Sequence, residues 1–147
     1  MYDVVVQTPT RAPIGLLLAN TAKAVSRAFD AALADAGGSR PVWLTLLALK
    51  SRPQASQREI ADSMGIQGAT LTHHLNAMEK DGLITRGRDP ENRRVHQVRL
   101  TAKGEAMFQQ LADAARAHDE RLRAGFGDEE LDTLERIFSR LRTNIND

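Results

Sequence analysis

The stretch SQREIADSMGIQGATLTHHLNAMEKDG, residues 56–82, decides the fold of this chain. Ser56 and Glu59 have the spacing of a capping box, in which the two residues satisfy each other's free backbone donors at the start of a helix. Gly65 ends this brief helix, and a second helical pattern follows over residues 67–80. Two short helices joined by a tight turn predict a helix-turn-helix.

Two adjacent histidines fall in the second of these helices, and the helical period separates their roles. At about 100° per residue, Leu71, Leu75 and Met78 form one narrow apolar stripe. The opposite face holds Ala69, His73, Asn76 and Lys80, with Thr70 and Thr72 on its flanks. His74 falls beside the stripe and is interpreted as a packing residue or a local hydrogen-bond donor at the edge of the core. Because neighbouring helix residues do not face each other, no shared metal ion and no metal site are predicted.

Beyond residue 82 the pattern changes to extended spacing. Residues 83–88 and 94–100 contain strand formers, and the turn-rich link between them predicts a hairpin. This part of the chain is also basic, since residues 50–100 carry nine basic and six acidic side chains. A local basic excess favours an anionic partner, although charge alone is equally compatible with an ordinary solvated surface.

Helix signals flank this region on both sides. A first helix is expected to begin with a proline and to end at residues 37–38, and a second to begin with a proline and stop before Pro53. The last two helices are each expected to begin at a capping side chain. The four starting residues are Pro13, Pro41, Thr101 and Asp128.

The composition excludes several kinds of chemistry. The chain has 147 residues, the size of one domain, and no cysteine, which excludes disulfides, thiolate metal sites and thiol redox sensing. No signal peptide and no apolar run long enough for a membrane span are recognised, so a cytoplasmic location without a membrane partner is expected. No arrangement of catalytic groups requires an enzyme, and no cofactor is expected.

The order of predicted elements resembles the MarR family of bacterial transcriptional regulators over residues 12–145. The most specific stretch is residues 56–104, which closes in LTAKG, matching the family's Leu-Thr-x-x-Gly motif. The wing reads Asn92-Arg93-Arg94, in which Arg94 matches the arginine that family members insert into the minor groove. Asn92 stands where the family has an aspartate, so it can accept a hydrogen bond but lacks the charge of the orienting salt bridge.

The resemblance implies a mainly α chain with a small β hairpin, forming one domain over residues 1–147. Residues 41–101 would be the winged helix-turn-helix DNA-binding region, and residues 12–37 and 102–145 a helical dimerisation region formed by both chain ends. The homodimer would bury Ile14, Leu17, Leu18, Leu131, Leu134, Ile137, Phe138 and Leu141. The alternative is a single-chain helical bundle that packs these stripes internally.

The resemblance also implies double-stranded DNA as partner, with a pseudo-palindromic operator whose half-sites lie about 34 Å apart. The residues expected in the major groove are Gln67, Gly68, Ala69, Thr70, Thr72 and His73, with Asn76 able to pair with an adenine edge. The candidates for phosphate contact are Arg58, Lys80, Arg86 and Arg88. The minor groove would receive Arg93 and Arg94 beside Asn92.

Family members are usually repressors, released by a small ligand or by oxidation, and the lack of cysteine removes the second route. A ligand cleft would be lined by Leu18, Trp43 and Leu47, with Arg40 and His118 orienting an anion. Trp43 is equally well interpreted as a core anchor. The predicted function is a dimeric, sequence-specific DNA-binding regulator. The alternatives are a winged helix that contacts proteins and a ligand-independent architectural DNA-binding protein.

Overall fold

Six helices and two strands follow one another in the residues that the computed structural model describes, 11–88 and 96–146. Before the hairpin lie α1 (Ile14–Asp35), α2 (Arg40–Ser51), α3 (Gln57–Met64) and α4 (Gly68–Lys80). The hairpin and the final helices are β1 (Ile84–Arg88), β2 (His96–Leu100), α5 (Ala102–Arg123) and α6 (Asp128–Ile145). The predicted mainly α architecture with one small antiparallel hairpin is confirmed.

Hydroxyl groups cap α2, α3 and α5, which explains why these helices begin where they do. Ser39, Ser56 and Thr101 each accept a hydrogen bond from the backbone N–H three residues on, at 3.3, 3.2 and 3.0 Å. In the predicted capping box, the Glu59 carboxylate is expected to accept from the backbone N–H of Ser56, but its donor is different. The Glu59 carboxylate accepts from the hydroxyl of Ser56, at 3.3 Å. This still ties the first turn of α3 to its cap.

The starts of α1, α2 and α6 differ from the prediction by one residue, and α2 begins at Arg40 rather than at Pro41. Pro13 occupies the cap position, so α1 begins at Ile14. The prediction that Asp128 caps α6 is wrong, because Asp128 is already the first helical residue and Gly127 is the cap. Glycine has no side chain to offer, and the longer Glu130 reaches back to accept from the backbone N–H of Gly127 at 3.1 Å.

The hairpin pairs β1 and β2 antiparallel, with Ile84 opposite Leu100. The first strand begins one residue later than expected. The backbone N–H of Leu83 donates to the carbonyl of Met78 at 2.9 Å, so Leu83 takes part in the turn that closes α4 rather than in the strand. The expected start of the second strand, at residue 94, lies outside the described residues.

The closing sequence of the hairpin joins three elements at one point. The backbone N–H of Thr101 donates to the carbonyl of Leu83 at 3.0 Å, and the Thr101 hydroxyl donates to the carbonyl of Gly82 at 2.6 Å. Gly104 lies so close to Leu83 that an added Cβ would overlap the Leu83 carbonyl oxygen. The end of α4, the hairpin and the start of α5 therefore share one packed junction.

The core is formed mainly by α2, α3, α4 and β1, with one fully buried leucine each from the end of α1 and the middle of α5. Its fully buried apolar side chains are Leu33, Leu46, Ile60, Leu71, Leu75, Met78, Ile84 and Leu111. Burial of each such side chain contributes about 1.5–3 kcal/mol. Because three of them come from α4, the core fixes how that helix is rotated.

The start of α1 and the whole of α6 lie outside this core. Ile14 is 66% exposed and Ile137 is 50% exposed, and α6 contributes no buried residue. The alternative of a single chain that packs these stripes internally is therefore wrong for the part of the chain that the structure describes.

Candidate nucleic-acid interface

The two faces of α4 have the predicted character. Leu71, Leu75 and Met78 are fully buried, which holds the opposite face towards solvent. The residues at and around that face are all exposed: Gln67, Gly68, Ala69, Thr70, Thr72, His73, Asn76 and Lys80. Arg58 on α3 is exposed as well. A partner can therefore reach every one of these candidate DNA contacts.

The adjacent histidines occupy different environments. His73 is exposed and His74 is half-buried at the edge of the core, as the helical period predicts. Their ring centroids lie 6.1 Å apart, with the ring planes tilted by 54°. Among residues 11–88 and 96–146, no group of three or more metal-ligating side chains converges on one point.

The first turn of α4 is open to an anion. Gln67 stands at the cap position, and its side chain makes no capping hydrogen bond. An exposed helix start whose N–H groups lack a side-chain acceptor favours negative charge, and phosphate in particular. The Thr72 hydroxyl donates to the carbonyl of Gly68 at 3.0 Å, so it presents only lone pairs to a partner.

Arg86 on β1 joins the hairpin to the last turns of α4. Its Nε donates to the Glu79 carboxylate at 3.1 Å, and a terminal nitrogen donates to Oδ1 of Asn76. The Arg86 side chain is only 22% exposed, so its guanidinium is held between the two elements. Asn76, Glu79 and Arg86 are called the α4–β1 clamp below.

The α4–β1 clamp lowers the pKa of Glu79. The side-chain hydrogen bond from Arg86 lowers the pKa of the Glu79 carboxyl below its usual value, and the attraction between the two charges lowers it further. Glu79 is therefore ionised at neutral pH and offsets the charge of Arg86. A phosphate contact by Arg86 would have to compete with this ion pair.

Sequence reasoning missed Glu79. Arg86 lies seven residues from Glu79 and ten from Asn76, across the chain reversal at Gly82, so no helical period relates them. The only local signal is the spacing of Asn76 and Glu79, which places both on one side of α4.

The tip of the wing carries the remaining predicted DNA contacts. Asn92, Arg93 and Arg94 lie outside the described residues, and so does the side chain of Arg88. The backbone of Arg88 pairs with His96 at the end of the hairpin. The minor-groove contact therefore stays a prediction.

Comparison with known proteins identifies the fold family. A family model described as the MarR family matches residues 39–96. The crystal structure of the transcriptional regulator PA3341 is 30% identical to this chain and covers 90% of it and 98% of its own length, with a TM-score of 0.69. The chain belongs to the MarR family.

Other relatives agree with the MarR assignment. YdgJ of Bacillus subtilis (strain 168), an uncharacterized HTH-type transcriptional regulator, is 32% identical over 108 residues, 74% of this chain. The match spans 65% of YdgJ, just under two thirds of that relative. The transcriptional repressor CouR, solved with a 23-mer DNA duplex, is 29% identical over 88% of this chain and 92% of its own, with a TM-score of 0.75. A structure of CouR from Rhodococcus jostii RHA1 bound to p-coumaroyl-CoA is 22% identical over 87% of this chain and 90% of its own, with a TM-score of 0.71.

The polar residues expected in the ligand cleft of this MarR chain lie near α1. Nε of Arg40 donates to Asp30 at 2.8 Å, and a terminal nitrogen of Arg40 donates to the carbonyl of Ser26 at 3.1 Å. The ring of His118 stacks on Phe29 with centroids 5.2 Å apart. Within the described residues, Nε2 of His118 is buried without a hydrogen-bond partner.

The apolar residues expected in the same cleft have separate surroundings. Trp43 is buried and stacks on Phe108 with ring centroids 5.6 Å apart, the packing of a core anchor. Leu47 is exposed and lines a cavity of about 330 Å³ with Leu44 and Met64. Leu18 is exposed on α1.

The residues expected at the MarR dimer interface are accessible. Ile14, Leu17, Leu18, Leu134 and Ile137 are exposed, and Leu131, Phe138 and Leu141 are half-buried. None of the helices in the described part of the chain is both long and apolar enough to cross a bilayer.

Proposed function

We propose that this chain is a sequence-specific DNA-binding regulator that works as a homodimer, represses transcription and is released from DNA by a small ligand. The observation that carries the proposal is the outward side of α4, where a short helix anchored by three buried residues exposes small and polar side chains. Side chains of this kind enter the major groove and contact base edges. The DNA-bound structure of CouR supports this use of the fold.

The DNA contacts divide into three groups. The start and middle of α4 read base edges, where Gly68 and Ala69 let the backbone approach closely. Phosphate contacts supply affinity without sequence information, and their donors are Arg58, Lys80 and Arg88. The wing tip, Asn92, Arg93 and Arg94, enters the minor groove, whose narrow A·T-rich forms attract arginine.

Dimerisation is supported by the uncovered apolar stripes of α1 and α6. Contiguous exposed apolar surface marks an interaction site, and a symmetric homodimer covers the same surface on both copies. Two copies would place two α4 helices on successive major grooves, about 34 Å apart.

Release by a ligand is supported by the groups near α1 and α2 and by the p-coumaroyl-CoA complex of CouR. Nε2 of His118 offers an unused hydrogen-bonding atom, and Arg40 offers a positive charge. The apolar candidates Leu18, Trp43 and Leu47 have separate surroundings, so the proposal rests on Arg40 and His118. Bound ligand would alter the spacing of the two α4 helices and so weaken DNA binding.

The test measures binding to the DNA upstream of the chain's own gene by fluorescence anisotropy at several salt concentrations. An unrelated duplex, Arg94→Ala and the matched charge control Arg121→Ala on α5 are measured in parallel. We expect preferential, salt-dependent binding that Arg94→Ala weakens and Arg121→Ala leaves unchanged. Equal binding to the unrelated duplex would favour an architectural protein. No binding to either duplex at low salt would favour a module that contacts proteins.

A further inference from the structure

The side-chain amide of Asn76 ends in an oxygen and an NH₂ group, and Arg86 determines which of the two faces it. A guanidinium carries hydrogen-bond donors only, whereas the amide has an accepting oxygen and a donating nitrogen. Arg86 donates to Oδ1 of Asn76, and the reverse orientation would place two donors face to face. The amide orientation therefore follows from the chemistry of Arg86.

Glu79 keeps Arg86 in this position. Two nitrogens of Arg86 approach the Glu79 carboxylate, at 3.1 and 3.5 Å, and both residues belong to elements packed on the same core. The guanidinium would have to give up this ion pair before it could turn away from Asn76. Arg86 occupies one of the two lone pairs of Oδ1, and its positive charge beside that oxygen opposes the approach of a second donor. The NH₂ group is therefore the part of Asn76 best placed to contact a partner.

We propose that Arg86 is a positioning residue that holds Asn76 so that Asn76 contacts DNA as a hydrogen-bond donor only. This inference rests on the proposed DNA-binding function. An asparagine that pairs with an adenine edge uses its carbonyl and its NH₂ group together. Because the Asn76 carbonyl is held by Arg86, we expect Asn76 to donate a single hydrogen bond from its NH₂ group instead of forming the two-bond pairing with adenine. The available acceptors are guanine N7 or O6, adenine N7, thymine O4 or a phosphate oxygen.

The experiment first selects the preferred duplex from a random library with the wild-type protein. Fluorescence anisotropy then measures wild type and Asn76→Ala on that duplex and on duplexes that each lack one base atom. 7-Deazapurines remove N7, and purine in place of adenine removes the N6 amino group. The coupling between Asn76 and one base atom is found by changing both together. It is the difference between the resulting change in binding free energy and the sum of the changes from Asn76→Ala alone and from the base analogue alone.

We expect Asn76 to be coupled to an acceptor atom by about fivefold or more, within the range of discrimination by base contacts. Coupling to the amino group of adenine N6 or cytosine N4 would overturn the proposal, since only the Asn76 carbonyl could accept from it. If no base atom is coupled, neutral methylphosphonate linkages test the phosphate oxygens. Absence of coupling there also overturns the proposal.

Variants of the clamp test the positioning role itself. Asn76→Asp keeps the bond to Arg86 but removes the donor, so it should weaken binding at least as much as Asn76→Ala. Arg86→Met frees the carbonyl and should introduce coupling to adenine N6, whereas Arg86→Lys should retain the wild-type pattern. Arg99→Met removes the same charge from β2, where Arg99 contacts Gln97, and should leave base coupling unchanged.

The outcomes separate the inference from the proposed function. If selection with wild type enriches no sequence, both fail together. If a sequence is enriched but Arg86→Met shows the same base coupling as wild type, the regulator function stands and the positioning role of Arg86 is wrong. Wild-type affinity of Asn76→Asp would likewise overturn the donor role alone.

Discussion

The α-carbon of Gly104 packs against the carbonyl oxygen of Leu83, at a distance that leaves no space for a side chain. The same carbonyl accepts the hydrogen bond from the backbone N–H of Thr101. This contact gives a structural reason for the glycine in the sequence LTAKG. Glycine is required here by the close approach of two backbones rather than by a left-handed φ.

Gly104→Ala should destabilise the fold, because its Cβ meets backbone atoms that cannot turn aside. Overpacking of this kind costs about 1–3 kcal/mol in the free energy of unfolding, measured by urea denaturation. Gly87→Ala in β1 is the control, since a Cβ there meets nothing within 4 Å. Equal stability of the two variants would show that the junction relaxes.

The side-chain carboxyl of Glu79 should titrate with a pKa below the usual glutamate value, which NMR of that carboxyl during a pH titration measures. Arg86→Met should raise this pKa towards 4.5, and Arg99→Met should leave it lowered. Because the folded-state pKa is the lower one, the stabilisation from the ion pair is present at neutral pH. It is lost as the pH falls through the folded-state pKa. An unchanged titration in Arg86→Met would contradict the clamp.

Ser56→Ala should cost about 1 kcal/mol of stability, because α3 loses its capping acceptor. The matched control in the same helix is Ser63→Ala. Ser63 donates to the carbonyl of Ile60 inside the helix rather than capping it, so its removal should be nearly neutral. Urea midpoints of the two variants measure the difference, and a larger loss for Ser63→Ala would refute the capping role.

Leu134→Ser with Ile137→Ser should convert a dimer into a monomer, because both side chains belong to the uncovered stripe of α6. Sedimentation velocity at micromolar concentration measures the oligomeric state. Glu135→Ser with Arg136→Ser alters the neighbouring polar positions and should leave the dimer intact. A double variant of the apolar stripe that still sediments as a dimer would place the interface elsewhere.

The sequence predicts those features of the fold that have a local period. Burial of Leu71, Leu75 and Met78, and the contrast between His73 and His74, follow from the helical repeat alone. Caps are predicted where a hydroxyl stands before a helix, as at Ser56 and Thr101.

The features that the sequence does not predict depend on contacts across chain reversals. Arg86 meets Asn76 and Glu79 only after the chain has turned at residue 82, and nothing in their spacing selects those partners. The prediction that Asp128 caps α6 fails because both Asp128 and Glu130 suit a first helical turn, and either acid could accept a hydrogen bond there. Only the reach of the longer side chain decides between them.

The junction at Leu83 has a mechanical consequence. Just beyond the end of α4, the carbonyls of Gly82 and Leu83 accept hydrogen bonds from Thr101, the cap of α5, and the ammonium of Lys103 donates to the carbonyl of Asp81 at 2.7 Å. α5 has 22 residues and is therefore a rod of about 33 Å. Because these bonds tie the start of α5 to the end of α4, tilting the far end of α5 would also reorient α4. In the proposed DNA complex, a small displacement among the outer helices would then change the angle at which α4 meets the major groove.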